Sequence, residues 1–202
     1  MKSLLKGLIK IALILVLPFL LSCVTPGPIQ QYTQGRIIDR GDYSFVGPPG
    51  DGWSIKIQGG AIEFYRPTAR SGSDWISVMA VQNEMKEKED RYLSEEEVVF
   101  EFINHFEEMQ KGIAKKGDCM LNDINKGTTM IGEKKLHFLS TKTSGWKGGP
   151  ARRADLFYIF FPADFKERHL FFCFNLIQRS NVESSLESAD LTLIMPVINS
   201  LK

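Results

Sequence analysis

Two stretches of the chain are almost continuously apolar and aromatic, and they constrain the fold more than any other feature. They are Asp155–Phe161 and Leu170–Ile177. Unbroken apolar runs of this length are typical of strands that are covered on both faces of a sheet. The segment between them, Pro162–His169, carries charged residues and predicts a hairpin connection. A chain with this pattern needs a sheet that lies between two other layers.

A helix is predicted before these strands. Ser94 and Glu97 have the spacing of a capping box, in which the serine hydroxyl accepts from the Glu97 N–H. Apolar residues then recur at helical spacing and define one buried face. They are Val99, Phe102, Phe106, Met109 and Ile113. Gly112 or Gly117 can end this helix.

Short strands account for most of the remaining pattern, because apolar and polar residues alternate between turn signals. They are Tyr43–Val46, Trp53–Ile57, Ala61–Tyr65, Trp75–Val81, a weak one over Cys119–Met130, and Lys135–Thr141. The order of strands, helix, strands and helix predicts an α+β fold, with an antiparallel sheet of about six to seven strands covered by helices.

The last segment, Leu191–Leu201, has apolar residues at helical spacing and Pro196 in its middle. We expect a helix kinked at Pro196, because proline removes a backbone hydrogen bond. The alternative is a strand through Met195, with Pro196 opening a short terminal helix.

The N-terminal segment has the organisation of a secretory signal. Three lysines lie in residues 1–10, the stretch Leu8–Leu21 is almost wholly apolar, and a small residue, Ser22, precedes Cys23. The apolar run is shorter than the roughly 20 residues of a transmembrane helix, and Pro18 interrupts it. An uncleaved anchor and cleavage without lipid are the alternatives.

This segment resembles a bacterial lipoprotein signal, with Leu20-Leu21-Ser22-Cys23 as the lipobox. The resemblance implies that Cys23 is acylated, becomes the mature N-terminus and holds the chain at a membrane surface. Val24, rather than Asp, follows the cysteine, which implies the outer membrane facing the periplasm if the organism has two membranes. We therefore divide the chain into a signal peptide over 1–22, a lipid-anchored flexible tether over 23–40 and a single globular domain over 41–202.

The charge of the mature chain argues against nucleic acid as a partner. Removal of the three signal lysines leaves 22 basic against 24 acidic residues, a net charge of −2. Nucleic-acid binding calls for a basic patch or stripe, and attachment to anionic lipid calls for a polybasic segment. The slightly negative net charge of the mature chain argues against both.

Two further cysteines, Cys119 and Cys173, can pair in an oxidising envelope. The alternative is that both are small buried hydrophobic residues, and Cys173 stands among phenylalanines. The spacing does not decide between a disulfide and two free thiols.

The sequence contains no recognisable catalytic motif. Gly127–Gly132 has the glycine spacing of a P-loop, but Glu133 and Lys134 follow where the Lys-Ser/Thr pair should stand. Glu101, His105 and Glu108 could face a metal from one helix, but they lie on its polar side. We expect no enzyme activity, no metal and no cofactor.

The segment Thr143–Arg153 is the best candidate for binding a partner. It is rich in glycine and contains Trp146, Lys147, Arg152 and Arg153. Tryptophan and arginine are enriched among the residues that dominate binding energy at interfaces. The alternative is that Trp146 folds back onto the sheet edge. Trp53, in contrast, is expected to cap the core.

The order of elements is similar to the PsbP/Mog-like family, an α/β/α sandwich. The resemblance is carried by Tyr43–Val46, the following Pro/Gly turn, Trp53, the capped helix, the two aromatic strands and the closing residues 197–202. It implies a non-enzymatic accessory or scaffolding role at a membrane-bound complex.

These observations lead to one main hypothesis, a lipid-anchored cell-envelope protein that binds another protein or complex without catalysis. A module that binds a small apolar ligand or lipid is the alternative. An enzyme of unrecognised type is the third hypothesis, and it would need histidines or carboxylates that converge in the fold.

Overall fold

The protein is represented by a computed structural model, which describes residues 29–68, 72–86, 89–146, 150–182 and 189–202. The predicted signal peptide, Cys23, the first part of the tether and Lys147 lie outside these residues.

Twelve strands and three helices make up the described part. The strands are β1 (Gln30–Gln31), β2 (Ile37–Asp39), β3 (Ser44–Val46), β4 (Ser54–Gln58), β5 (Ala61–Thr68), β6 (Gly72–Gln82), β7 (Met85–Lys86), β8 (Arg91–Tyr92), β9 (Met120–Ile131), β10 (Lys134–Ser144), β11 (Arg152–Phe160) and β12 (Leu170–Ser180). The helices are α1 (Glu95–Lys116), α2 (Phe165–Arg168) and α3 (Met195–Ser200), with a 3₁₀ turn at Leu191–Leu193.

Eight of the described strands form one antiparallel sheet in the order β1-β4-β5-β6-β12-β11-β10-β9. The pairs β2–β3 and β7–β8 form two small separate sheets. The predicted antiparallel sheet is confirmed, but it has eight strands rather than six to seven. The extra strand is β1, a two-residue edge strand in the segment expected to be a tether.

The central strands are buried on both faces, as predicted, since β12 is buried from Phe171 to Gln178. On one face, α1 packs against β10, β11 and β12 around Phe106, Phe157 and Phe171. We call this the α1 face. On the opposite face, the 3₁₀ turn, α3 and the β2–β3 pair cover a second core around Phe174.

The helical cover is smaller than the predicted α/β/α sandwich. One long helix covers the α1 face, whereas a six-residue helix shares the opposite face with irregular chain and a two-stranded sheet. Trp53 and Phe45 are among the buried residues of the core on that face.

The predicted capping box of α1 is present. The Ser94 hydroxyl accepts from Glu97 N, and the Glu97 carboxylate accepts from Ser94 N. The helix ends at Lys116, with Gly117 as its C-cap. Its buried stripe is rotated from the expected one, because Gln110 and Ala114 are buried while Ile113 is half-buried.

The predicted tether is too long at its C-terminal end. Gln30 and Gln31 pair with Ile55 and Ser54, and β2 pairs with β3. Tyr32 and Ile38 are each only 4 % exposed. Burial of their apolar surface ties the segment to the domain, which begins about ten residues earlier than expected.

The C-terminal helix is not kinked at Pro196. Pro196 lies in the first turn of α3, where its missing N–H removes no intrahelical bond. A 3₁₀ turn, and not a strand, precedes it. Reciprocal backbone hydrogen bonds between Ser44 and Lys202 then tie the chain end to β3.

None of the helices in the described ranges is both long and apolar enough to cross a bilayer.

Candidate functional site

The predicted binding segment lies at the end of the sheet where β10 turns into β11. Ser144 and Arg152 form the last pair of these strands. The C-terminus of α1 reaches the same end, since Gly117 contacts Trp146. We call this region the α1-terminal end.

Trp146 folds back onto the domain. Its Nε1 donates to Thr143 Oγ1 at 3.0 Å, and its ring is half-buried. A Cβ added to Gly117 would lie 2.4 Å from Trp146 Cε3. The absence of a side chain at Gly117 therefore makes room for the indole ring.

Arg153 is buried and cannot form part of an exposed basic loop as the sequence suggested. It is 7 % exposed, and its Nε donates to Asp155 Oδ2 at 2.7 Å while Nη2 donates to Oδ1. Gln110 Nε2 of α1 donates to Asp155 Oδ1 at 3.3 Å. The guanidinium carbon lies 5.9 Å from the centre of the Trp146 ring. The buried Arg153–Asp155 ion pair thus lies in contact with both Trp146 and α1.

Arg152 and Arg153 point to opposite faces of the sheet, because side chains alternate along a strand. Arg152 is half-buried, and its Nε has no hydrogen-bond partner within the structure as described. On the α1 face, Arg153 is paired across the strands with Arg179, which is exposed. Lys115 and Lys116, in the last turn of α1, are also exposed.

The basic surface at this end therefore consists of Arg179, Lys115 and Lys116 on the α1 face and Arg152 on the other. Only Arg152 of these was singled out from the sequence. Lys147 lies outside the described residues.

Besides Arg152 Nε, two buried polar atoms of this region lack partners within the described ranges. They are Gln110 Oε1 and Thr141 Oγ1. Thr141 is paired across the strands with Asp155 and shares its face. Both atoms therefore lie on the α1 face, close to Asp155.

A second tryptophan, Trp53, lies in a comparable arrangement on the opposite face. The guanidinium carbon of Arg66 lies 4.5 Å from its ring centre, and Arg66 donates to Asp74. Gln178 Nε2 donates to Asp74 Oδ1 at 2.8 Å. The predicted core position of Trp53 is confirmed, since it is 1 % exposed and donates to Pro49 O.

Two clefts lie elsewhere on the molecule. One, of about 190 Å³, is lined by Gln30, Arg36, Ile37 and Ile57 among others. The other, of about 320 Å³, lies on the face opposite α1, between β9–β11 and the residues around Leu191.

Four phenylalanines of β11 and β12 line neither of these two clefts. Phe157, Phe171, Phe172 and Phe174 are at most 3 % exposed and pack into the two cores.

The two cysteines are free thiols, so the disulfide alternative is not realised. Cys173 is buried on the α1 face, and burial raises the pKa of its thiol. Cys119 is only partly buried, at the end of α1, with its Sγ 3.5 Å from Ala114 O.

The three histidines lie in α1, in β10 and directly after α2. His105 is half-buried, and burial lowers its pKa. His169 has a positive φ of 52° and stacks on Tyr92. Across the described ranges, no group of three His, Cys, Asp or Glu is placed to hold a metal ion.

No protein-family model and no curated protein sequence matches this chain. Among solved structures, the chain is similar to the solution structure of cyanobacterial PsbP (CyanoP) from Synechocystis sp. PCC 6803. The TM-score is 0.44 at 16 % sequence identity, and the match covers 89 % of this chain and 94 % of that chain.

Proposed function

We propose that this protein is a lipid-anchored accessory protein of the cell envelope, which binds a partner protein and performs no catalysis. The lipid is attached to Cys23, and the domain faces the periplasm from the outer membrane if the organism has two membranes. The lipobox-like sequence supports the anchor.

The observation that carries the binding role is the construction of the α1-terminal end. Trp146 is held by Thr143 and Gly117, and the buried Arg153–Asp155 pair fixes the strand beneath it. A surface that is fixed before binding loses less conformational entropy when a partner docks. The exposed cations Arg179, Lys115 and Lys116 favour an acidic partner surface.

The test is affinity capture of the tagged, anchored protein after mild crosslinking in intact cells. Arg179→Ala and Arg152→Ala should each reduce recovery of a stoichiometric partner, while the protein stays folded. Lys166→Ala is the matched control, because Lys166 is an exposed lysine of α2 at the opposite end of β11. Equal recovery from all three variants would remove the α1-terminal end as the binding surface.

Cys23→Ser is the control for the anchor. It should release the protein from the membrane fraction, and mass spectrometry should find acyl groups on Cys23 only in the unchanged protein. An unmodified Cys23 would contradict the lipid anchor whatever the outcome of the capture.

The 320 Å³ cleft supports the alternative, a module that binds a small apolar ligand. Phe138, Leu156 and Tyr158 line it, and Asp123 and Lys142 form an ion pair of 3.2 Å beside them. Native mass spectrometry of the purified protein tests this function, since a co-purifying ligand should be displaced in Phe138→Glu. The bare protein mass alone would count against it.

A further inference from the structure

Isoleucine side chains are exposed at one edge of the main sheet and on the neighbouring strand β2. Ile29, Ile37 and Ile57 are 70 %, 64 % and 46 % exposed. Ile37 and Ile57 line the 190 Å³ cleft together with Gln30 and Arg36. Single exposed hydrophobic residues are ordinary, but several at one edge are typical of an interaction surface. We call these three residues the isoleucine edge.

The chain enters the domain at the same edge. Gln30 is paired with Ile55 of β4, so the N-terminal segment joins the sheet at its outermost strand. Ile29 is the sixth residue after Cys23, and six fully extended steps along the chain span about 20 Å. A lipid on Cys23 therefore cannot lie farther than that from Ile29.

The chemistry of the edge suits a bilayer surface. Aliphatic side chains partition into the boundary between headgroups and acyl chains. Arg36 lines the cleft with them, Arg40 follows β2 directly, and both are exposed. Cations are attracted to anionic headgroups. Asp39 also lines the cleft, so the local charge is nearly balanced and apolar contact has to supply most of the attraction.

We propose that the isoleucine edge rests on the bilayer that holds the lipid of Cys23, and thereby fixes the orientation of the domain. This inference depends on the lipid anchor of the proposed function. Five to six strand spacings separate β1 from the β10–β11 hairpin, about 25–30 Å across the sheet. The α1-terminal end would then be presented away from the membrane, where a partner can reach it.

The test uses the mature, lipidated protein in vesicles of phosphatidylethanolamine and phosphatidylglycerol. A nitroxide is attached at Ile37→Cys in a Cys119→Ser background, in which Cys173 remains buried. Its accessibility to oxygen, which concentrates in lipid, is compared with its accessibility to a water-soluble nickel complex. The matched control is the same label at Met130→Cys on β9, a residue that is 59 % exposed at the far edge.

We expect the oxygen-to-nickel ratio at position 37 to exceed the ratio at position 130 several-fold. A second label, at Gln31→Cys, should also show a high oxygen-to-nickel ratio. It should lose that ratio in an Ile37→Glu, Ile57→Glu variant, because the two introduced charges oppose lipid contact. This arm separates attraction by the edge from attraction by the label itself.

Three results would overturn the inference. A water-like ratio at position 37 in lipidated protein would mean that the edge faces solvent. Protection from both reagents would mean that a second copy or another protein covers it. An unmodified Cys23, detected by mass spectrometry, would refute the lipid anchor and this inference with it. An acylated Cys23 with a water-like ratio at position 37 would refute this inference alone.

Discussion

The two faces of the sheet carry the same types of side chain around a tryptophan, but only one of these two tryptophans is fully buried. Trp53 lies with Arg66, Asp74 and Gln178 on one face, and Trp146 lies with Arg153, Asp155 and Gln110 on the other. These two sets are named the Trp53 set and the Trp146 set below.

The two sets differ in how many hydrogen bonds their glutamine forms and in how deeply their tryptophan is buried. In the Trp53 set, Gln178 both donates to Asp74 and accepts from Asp190 N, and Trp53 is fully buried. In the Trp146 set, Gln110 donates to Asp155 but its oxygen has no partner within the described residues, and Trp146 stays half-buried. A satisfied, buried network stabilises a core, whereas the half-buried Trp146 lies at an end of the sheet that carries exposed cations and that a partner can reach.

The largest effect should come from the two aspartates. Asp155→Ala should destabilise the domain by about 3–5 kcal/mol, because it leaves the buried Arg153 guanidinium unpaired. Asp74→Ala should cost less, since the Arg66 side chain is 24 % exposed against 8 % for Arg153 and can reach water. Urea unfolding of both variants measures the difference, and equal costs would mean that the two arginines are equally buried in solution.

Of the two tryptophans, the one in the Trp53 set should cost more stability when it is replaced, whereas of the two aspartates it is the one in the Trp146 set. Trp53→Ala should cost about 3–5 kcal/mol, as expected for a fully buried aromatic residue. Trp146→Ala should cost less, roughly 2–3 kcal/mol, because part of its ring is already exposed to solvent. The same unfolding experiment checks this, and a Trp146→Ala cost equal to that of Trp53→Ala would assign Trp146 to the core and weaken its role at a binding surface.

Gly117 gives a test that is specific to the Trp146 set. Its φ is −81°, so alanine there meets no backbone strain, but its Cβ would collide with the indole ring. Gly117→Ala should cost about 1–3 kcal/mol through overpacking. Gly112→Ala is the matched control, since nothing lies within 4 Å of its added Cβ and alanine is the better helix former.

The cost of Gly117→Ala should disappear in a Trp146→Ala background. A cost that persists there would mean that Trp146 does not pack on Gly117.

The smallest effect concerns pH and the helix that covers the Trp146 set. Burial lowers the pKa of His105 below its ordinary value of 6.5, so the unfolded chain takes up a proton first as the pH falls. Stability contributed by neutral His105 is therefore present above about pH 6.5 and is lost below it.

Thermal unfolding at about pH 5 and about pH 7.5 measures this loss, and His105→Gln should reduce the difference in Tm by about 2 °C. The same difference in Tm is measured for His137→Gln as a comparison, because burial also lowers the pKa of His137, which lies in β10 and not in α1. An unchanged difference in His105→Gln would contradict a buried neutral His105.

The sequence was sufficient to predict the antiparallel sheet, the capped helix and the core position of Trp53, because each depends on local patterns. It did not predict Arg153 as a buried residue. The signal was nevertheless present, since Arg153 and Asp155 are two residues apart and so share one face of a strand that is otherwise apolar. Gln110 was missed because the apolar stripe of α1 was placed one position away from the buried one.

The prediction that the globular domain begins at residue 41 was wrong for a different reason. Tyr32 and Ile38 are isolated apolar residues in a polar, glycine-containing segment, and no local period marks them as buried. Their burial depends on contacts that are distant in sequence, such as that of Tyr32 with Phe64. Pairing of this kind cannot be recognised from a single segment.

The most direct test of the central claim is site-specific photo-crosslinking in intact cells from one exposed position beside each tryptophan. A photoreactive residue at Lys116, next to the Trp146 set, should give a discrete crosslinked partner, and one at Asp51, next to the Trp53 set, should give none. A partner captured from Asp51 and not from Lys116 would contradict the assignment of the α1-terminal end as the binding surface.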